Sequence, residues 1–153
     1  MIYAGIGSRS TPVEQCERII NLAKELDSKG FMLRSGGAKG ADTAFAKGST
    51  KREIFRPEHA TLPSIQLAST IHPAWHNCSD YAQKLHGRNM MIVLGHSLEA
   101  PADFVICWSA DENVGGTSMG LRLARMRGIK VFNLAKLKDD LSILNIVKKD
   151  NII

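Results

Sequence analysis

Three glycine-rich turns, each set directly after a short apolar run, constrain this chain more than any other feature. They read Gly5-Ile6-Gly7-Ser8-Arg9, Ser35-Gly36-Gly37-Ala38-Lys39-Gly40-Ala41-Asp42 and Val114-Gly115-Gly116-Thr117-Ser118-Met119-Gly120. A helix-like segment follows each one. Repeated strand–glycine–helix units favour a pocket walled by backbone N–H groups and helix N-termini, an arrangement suited to phosphate.

The rest of the chain punctuates itself around those turns. Residues 2–6 read as a first strand. Thr11-Pro12-Val13-Glu14 then announces a helix, with Thr11 as N-cap, Pro12 at the first helical position and Glu14 completing a capping box. Val13, Cys16, Ile19, Ile20, Ala23 and Leu26 recur at helical spacing, and Gly30 is the stop. Residues 31–33 form a second strand, 41–47 a helix and 53–55 a third strand ended by Pro57. Residues 58–77, with two prolines and three histidines, read as irregular. Ser79 caps a helix running to about 94, and 104–108 is a buried fourth strand. A helix over 120–127, a fifth strand over 130–134 and a last helix over 137–148 complete the pattern. Strands alternating with helices predict one Rossmann-like α/β domain spanning residues 1–153. Its mostly parallel sheet has about five strands in the order 3-2-1-4-5, with helices on its flanks. In that order the three glycine-rich turns meet at the carboxyl edge, beside the switch point where open α/β sheets bind ligands.

Composition narrows the function classes. With 153 residues, 44% of them hydrophobic, the chain can bury a core without staples. The formal net charge of +5 is compatible with an anionic partner, and equally with a merely soluble basic surface. Cys16, Cys78 and Cys107 are odd in number and scattered, which argues against a disulfide framework or a structural zinc site. The start MIYAGIGSRS lacks a signal-peptide pattern, and no apolar run reaches the ~20 residues of a membrane span. These features predict a cytoplasmic protein with no membrane partner.

Candidate ligand residues follow from the turns. Gly5 and Gly7 let a backbone approach closely, whether of a ligand or of a tight strand–helix turn. Ser8 and Arg9 offer a hydroxyl and a two-pronged guanidinium to phosphate oxygens, although Arg9 also suits a surface ion pair. Ser35, Gly36, Gly37 and Gly40 read as a second wall, and Gly115, Gly116 and Thr117 as a third. Asp42 is either a first-turn helix carboxylate favoured by the dipole or a ribose acceptor and water-activating base. It is the one candidate catalytic residue, with Glu99 and Asp111 as outsiders. Trp75 can stack on a base or fill the core. Arg88 and Asn89 sit on a helix facing the same region. His72, His76, Cys78 and His86 match no zinc spacing, so no metal is predicted, and no cofactor is required.

The motifs GIGSR, LRSGGAKGADTAF, DFVICW, VGGTSMGLRLA and GIKVFNL together resemble the SLOG superfamily of Rossmann-like proteins. That superfamily includes DNA-processing protein A and the "lonely guy" phosphoribohydrolases. The likeness runs from Met1 to Leu134 and is greatest to small proteins of this type, many of them phage-encoded, which would place this chain in a host cytoplasm. The hydrolases carry an arginine-bearing helix before the fourth strand, as at His86-Gly87-Arg88-Asn89-Met90 here. Where they continue to a catalytic glutamate, this chain reads Ser118-Met119-Gly120-Leu121. Against DNA-processing protein A, the expectation is a domain without a winged-helix segment.

The leading expectation is therefore binding, to sense or sequester, of a nucleotide or nucleotide-derived signal such as an ADP-ribose-like molecule. A nucleotide N-glycosidase of the phosphoribohydrolase type is the alternative, and single-stranded DNA binding ranks third. Self-association is a further expectation, through an apolar seam at Met90, Met91 and Ile92 that serves equally as core.

Overall fold

The computed structural model describes residues 1–149. Among them, five strands form one sheet in the order β3-β2-β1-β4-β5, and every pairing is parallel. The strands are β1 (Ile2–Gly7), β2 (Met32–Ser35), β3 (Arg52–Ile54), β4 (Phe104–Trp108) and β5 (Lys130–Asn133). The helices are α1 (Val13–Ser28), α2 (Ala41–Gly48), α3 (Leu62–Ile71), α4 (Asp80–Leu94), α5 (Thr117–Met126) and α6 (Asp140–Lys149). The predicted architecture and strand order are both observed.

Side-chain alternation along the strands builds a core on each face. Tyr3, Phe31, Leu33, Phe104, Ile106 and Phe132 pack with Ile19, Leu22 and Leu26 of α1, Ala44 and Phe45 of α2, and Ile143 of α6. Within this layer Tyr3 stacks on Phe104 with ring centroids 5.6 Å apart. Ala4, Ile6, Val105 and Cys107 point the other way, onto α3, α4 and α5. Met90, Met91 and Ile92 lie wholly inside this second core, so the seam offered for self-association is internal packing.

Two glycines of the first turn have a packing explanation. A Cβ on Gly5 would lie 2.6 Å from the Phe45 ring, and one on Gly7 would lie 2.6 Å from the Ala41 Cβ. Their bareness lets α2 rest directly on β1. Gly5→Ala is expected to lower stability by about 1–3 kcal/mol through overpacking. Urea unfolding checks this, and an unchanged midpoint would mean α2 is not seated so closely. Gly40 has φ +80, and its Cα faces the carbonyls of Ser8 and Arg9, so the second turn docks backbone to backbone on the first.

Beyond shifts of one or two residues at strand ends, the structure differs from the sequence reading at four places. Thr11 caps no helix: Pro12 takes the N-cap position without a side-chain bond, and the Thr11 hydroxyl instead donates to the Ser8 carbonyl at 2.6 Å. The 58–77 segment contains a helix, α3. Its signature was present, since Thr61 accepts from the Ser64 N–H while the Ser64 hydroxyl accepts from the Thr61 N–H, with Pro63 in the first turn. α5 begins at Thr117 rather than 120, because Gly116 already has helical dihedrals. α6 begins at Asp140 rather than 137. Ser79 caps α4 as expected, accepting from the Ala82 N–H at 3.1 Å, and Gly30 follows α1 with φ +87.

Candidate nucleotide site

Register brings the first and third turns together. Gly7 at the end of β1 pairs with Trp108 at the end of β4, so both turns leave the sheet side by side. The Ser8 N–H donates to the Trp108 carbonyl at 3.0 Å and ties them. Between them opens a cavity of about 590 Å³, within the ~300–1,000 Å³ span of small-molecule sites. Its wall includes Gly7, Ser8 and Arg9 after β1, Ala38 and Asp42 at the start of α2, and residues from Ser109 to Thr117 after β4. One face of α4 closes it, through Tyr81, Leu85, Arg88, Asn89 and Ile92.

Asp42 is the chemical centre of this cavity. It sits in the first turn of α2 and is buried. The Ala38 N–H donates to its Oδ2 at 3.3 Å. Burial pushes its carboxyl up from 3.8 to about 6, against the opposing pull of the Arg88 charge and of the N–H groups of Ala38, Gly7 and Gly36. Desolvation thus outweighs a cation and three amide dipoles. The result is a carboxylate with a minority protonated fraction near neutral pH, suited to accepting from a hydroxyl or moving a proton.

Arg88 is buried too, and it organises the cavity from behind. Its Nη1 donates to the carbonyls of Gly36 at 2.8 Å and Phe55 at 3.1 Å, and its Nε donates to Asn89 Oδ1 at 2.9 Å. Asn89 Nδ2 in turn donates to the Gly116 carbonyl at 3.0 Å. A chain of bonds therefore runs from the second turn through α4 to the third. Gly36 lies between Arg88 and Asp42: a Cβ there would sit 2.8 Å from Arg88 Nη1 and 2.8 Å from Asp42 Oδ2.

The third turn is open by contrast. Cβ atoms built on Gly115 (φ +83) and Gly116 would meet nothing within 4 Å, and both residues are exposed at the N-terminus of α5. First-turn N–H groups there carry the positive end of the helix dipole. The loop before it is anchored by Glu112, which holds Arg125 at 2.6 Å, Asn133 at 3.0 Å and Lys136 at 3.1 Å. Partial burial alone would raise the Glu112 carboxyl, but these three donors hold it down at about 2. Asn133 also clasps Ser109, donating to its carbonyl at 2.9 Å and accepting from its N–H at 3.1 Å.

Of the residues singled out in the sequence, the cavity gathers Gly7, Ser8, Arg9, Asp42, Arg88, Asn89, Gly115, Gly116 and Thr117. Gly5, Ser35, Gly36, Gly37, Gly40 and Trp75 stand outside its wall. Ser35 is buried with its hydroxyl donating to the Gly5 carbonyl at 2.6 Å. Gly37 faces Ile54 and Arg56. Trp75 packs against the α3–α4–α5 core beside His72 and His86. Asp111 lines the cavity and Glu99 does not. Sequence reasoning passed over Tyr81 and Ser109, and weighed His86 only as a metal ligand. Tyr81 had a signal, because 81, 85, 88, 89 and 92 form one stripe of a helix.

No known protein family matches the sequence, and no curated protein matches it. Among solved structures, DNA processing protein A from Helicobacter pylori, described for its single-stranded DNA binding mode, is similar over 98% of this chain and 81% of its own. The identity is 20% and the TM-score 0.66. The chain thus has a fold like that of DNA processing protein A. No helix among the described residues is long and apolar enough to cross a membrane.

Proposed function

We propose that the cavity at the carboxyl edge of β1 and β4 seats a nucleotide unit of single-stranded DNA. The observation that carries this reading is the meeting of an exposed arginine, the N-terminus of α5 and the aromatic Tyr81 around one cavity. Arg9 and the amides at Gly115–Thr117 suit phosphate oxygens. Tyr81 is 61% exposed on the wall, as a base-stacking platform must be. Asp42 repels phosphate and so suits an N–H donor on a base edge. The net charge of +5 and the fold shared with a single-stranded DNA binder point the same way. This ranking reverses the one that sequence alone suggested.

The test is fluorescence anisotropy with a labelled thymidine oligonucleotide across a salt series. Affinity is expected to fall with a log–log slope of about −0.7 per neutralised phosphate. Arg9→Ala is expected to make that slope shallower by about 0.7, for one lost contact. Tyr81→Ala is expected to weaken binding by about 1–3 kcal/mol with the slope unchanged. Absent or salt-insensitive binding rejects the reading.

The cavity's size favours a second reading. A hollow of about 590 Å³ accommodates a free nucleotide-derived molecule, bound or cleaved at its N-glycosidic bond. A nucleotide panel in thermal-shift assays separates the two: at ~100-fold above Kd a free ligand stabilises by about 2.7 kcal/mol. Release of free base that disappears in Asp42→Asn would make the site a hydrolase.

A further inference from the structure

Away from the turns, the fold assembles three side chains that the sequence keeps apart. His72 ends α3, Cys78 ends a short 3-10 turn at Trp75–Asn77, and His86 lies in the middle of α4. The Cys78 Sγ is 3.7 Å from His72 Nε2, and the two imidazole rings stand 4.8 Å apart between centroids. One ligand atom from each of the three residues falls within 4.8 Å of the others. All three side chains are half-buried. His86 Nδ1 is shielded from solvent and has no hydrogen-bond partner.

We propose that His72, Cys78 and His86 form a binding site for a zinc-class divalent cation, with a fourth position open to water. Two imidazoles and one thiolate are borderline-soft donors, a set that suits zinc and disfavours magnesium or calcium. Bond lengths of about 2.0 Å to nitrogen and 2.3 Å to sulfur put tetrahedral ligand atoms about 3.3–3.6 Å apart. The His72–Cys78 distance is already close to that, and the third ligand must move in by roughly 1 Å to complete the set. Burial, then the charges of His72 and Arg88, hold the His86 imidazole below its ordinary range. The orphaned nitrogen is what a metal-ligating side chain presents when nothing else in the fold uses it.

Binding has one local cost that makes it observable. His72 Nδ1 accepts the Ala74 N–H at 3.0 Å. Coordination through Nε2 leaves the ring proton on Nδ1, so that hydrogen bond must open and the turn must shift. Trp75 lies in that turn, 6.1 Å from the His72 ring and 6.2 Å from His86, and its emission should report the event. The Cys78 thiol loses its proton to solvent as the sulfur–metal bond forms, so affinity rises with pH. The site also adjoins the nucleotide cavity, since His86 lines both. It does not depend on what that cavity binds.

The experiment uses tag-free protein titrated with zinc against a chromogenic chelator, and separately with cobalt while absorption is recorded. One ion per chain is expected, together with a thiolate-to-cobalt charge-transfer band and a change in tryptophan emission. Cys78→Ser is expected to weaken zinc at least 100-fold and remove the band. Cys16→Ser, in α1 on the opposite face of the sheet, is expected to change neither. No stoichiometric binding, or binding without the thiolate band, overturns the proposal. Cys78→Ser affinity equal to wild type also overturns it. The cobalt band is read on the unaltered chain, so the result stands even where a variant folds poorly.

Discussion

Asp42→Asn is expected to gain stability over the wild type as pH rises from 4 to 7, by about 2 kcal/mol in the difference between the two. The folded carboxyl sits near 6 against an ordinary value of 3.8. The unfolded chain therefore releases this proton at lower pH than the folded one. Stability from the protonated form is complete below about 3.8 and is lost as pH climbs through about 6. Asparagine copies the neutral acid and does not titrate, so the loss is absent in the variant. Urea unfolding at half-unit pH steps measures the difference curve. Subtracting the two proteins cancels His86, whose lowered value acts below the ordinary histidine range with the opposite sign. A difference that stays flat between pH 4 and 7 would put Asp42 in the ordinary carboxylate range and remove the main chemical argument for the site. A carboxylate that its fold resists, at the wall of the cavity between the first and third turns, is what the proposed ligand role calls for. The expected companion result is that the more stable variant binds nucleotide less well.

The architecture was legible because it depends on patterns that survive in sequence. Alternating strand and helix segments, the stop at Gly30 and the cap at Ser79 are local signals, and each formed as read. The convergence of the first and third turns followed from the strand order. What stayed hidden was which atoms already have partners inside the fold. Gly5 and Gly7 carry the sequence signature of a ligand turn, yet their missing Cβ atoms make room for Phe45 and Ala41. The N–H groups of Gly7 and Gly36, in turns read as facing an external anion, act with that of Ala38 on Asp42's own carboxylate. The α3 helix was obscured by two prolines and three histidines in one stretch, although Thr61 and Ser64 cap it reciprocally. The clasp of Asn133 on Ser109 and Glu112 spans more than twenty residues and leaves no periodic trace. His72, Cys78 and His86 lie within fourteen residues of one another and were named together in the sequence, yet their spacing fits no metal-site rule and only the fold brings them together.

Arg88→Met is the second large effect, expected to cost about 3–5 kcal/mol and, at ~2–4 °C per kcal/mol, to lower Tm by on the order of 10 °C. Methionine fills similar space, so the loss is polar rather than a cavity. The carbonyls of Gly36 and Phe55 lose their donor, and Asp42 loses the only cation among its shifting influences. The direction of the second consequence is fixed by charge: without Arg88 the Asp42 carboxyl moves above 6, and the pH window of its instability moves with it. Arg88→Lys separates the two roles, because an ammonium keeps the charge but cannot fork between two carbonyls and Asn89. It is expected to hold the Asp42 window near its wild-type position while recovering only part of the stability. The double variant Asp42→Asn with Arg88→Met is expected to lose less than the sum of the single effects, by about 0.5–3 kcal/mol, since no unpaired carboxylate remains. Strict additivity would mean that the two residues, though they flank Gly36 from either side, act independently. Asn89 tethers the third turn to this pair, so a coupled pair also predicts that Arg88→Met loosens the Gly116 end of the cavity. Faster amide exchange in residues 115–117 of that variant is the observation that would link the buried pair to the surface where a phosphate is proposed to bind.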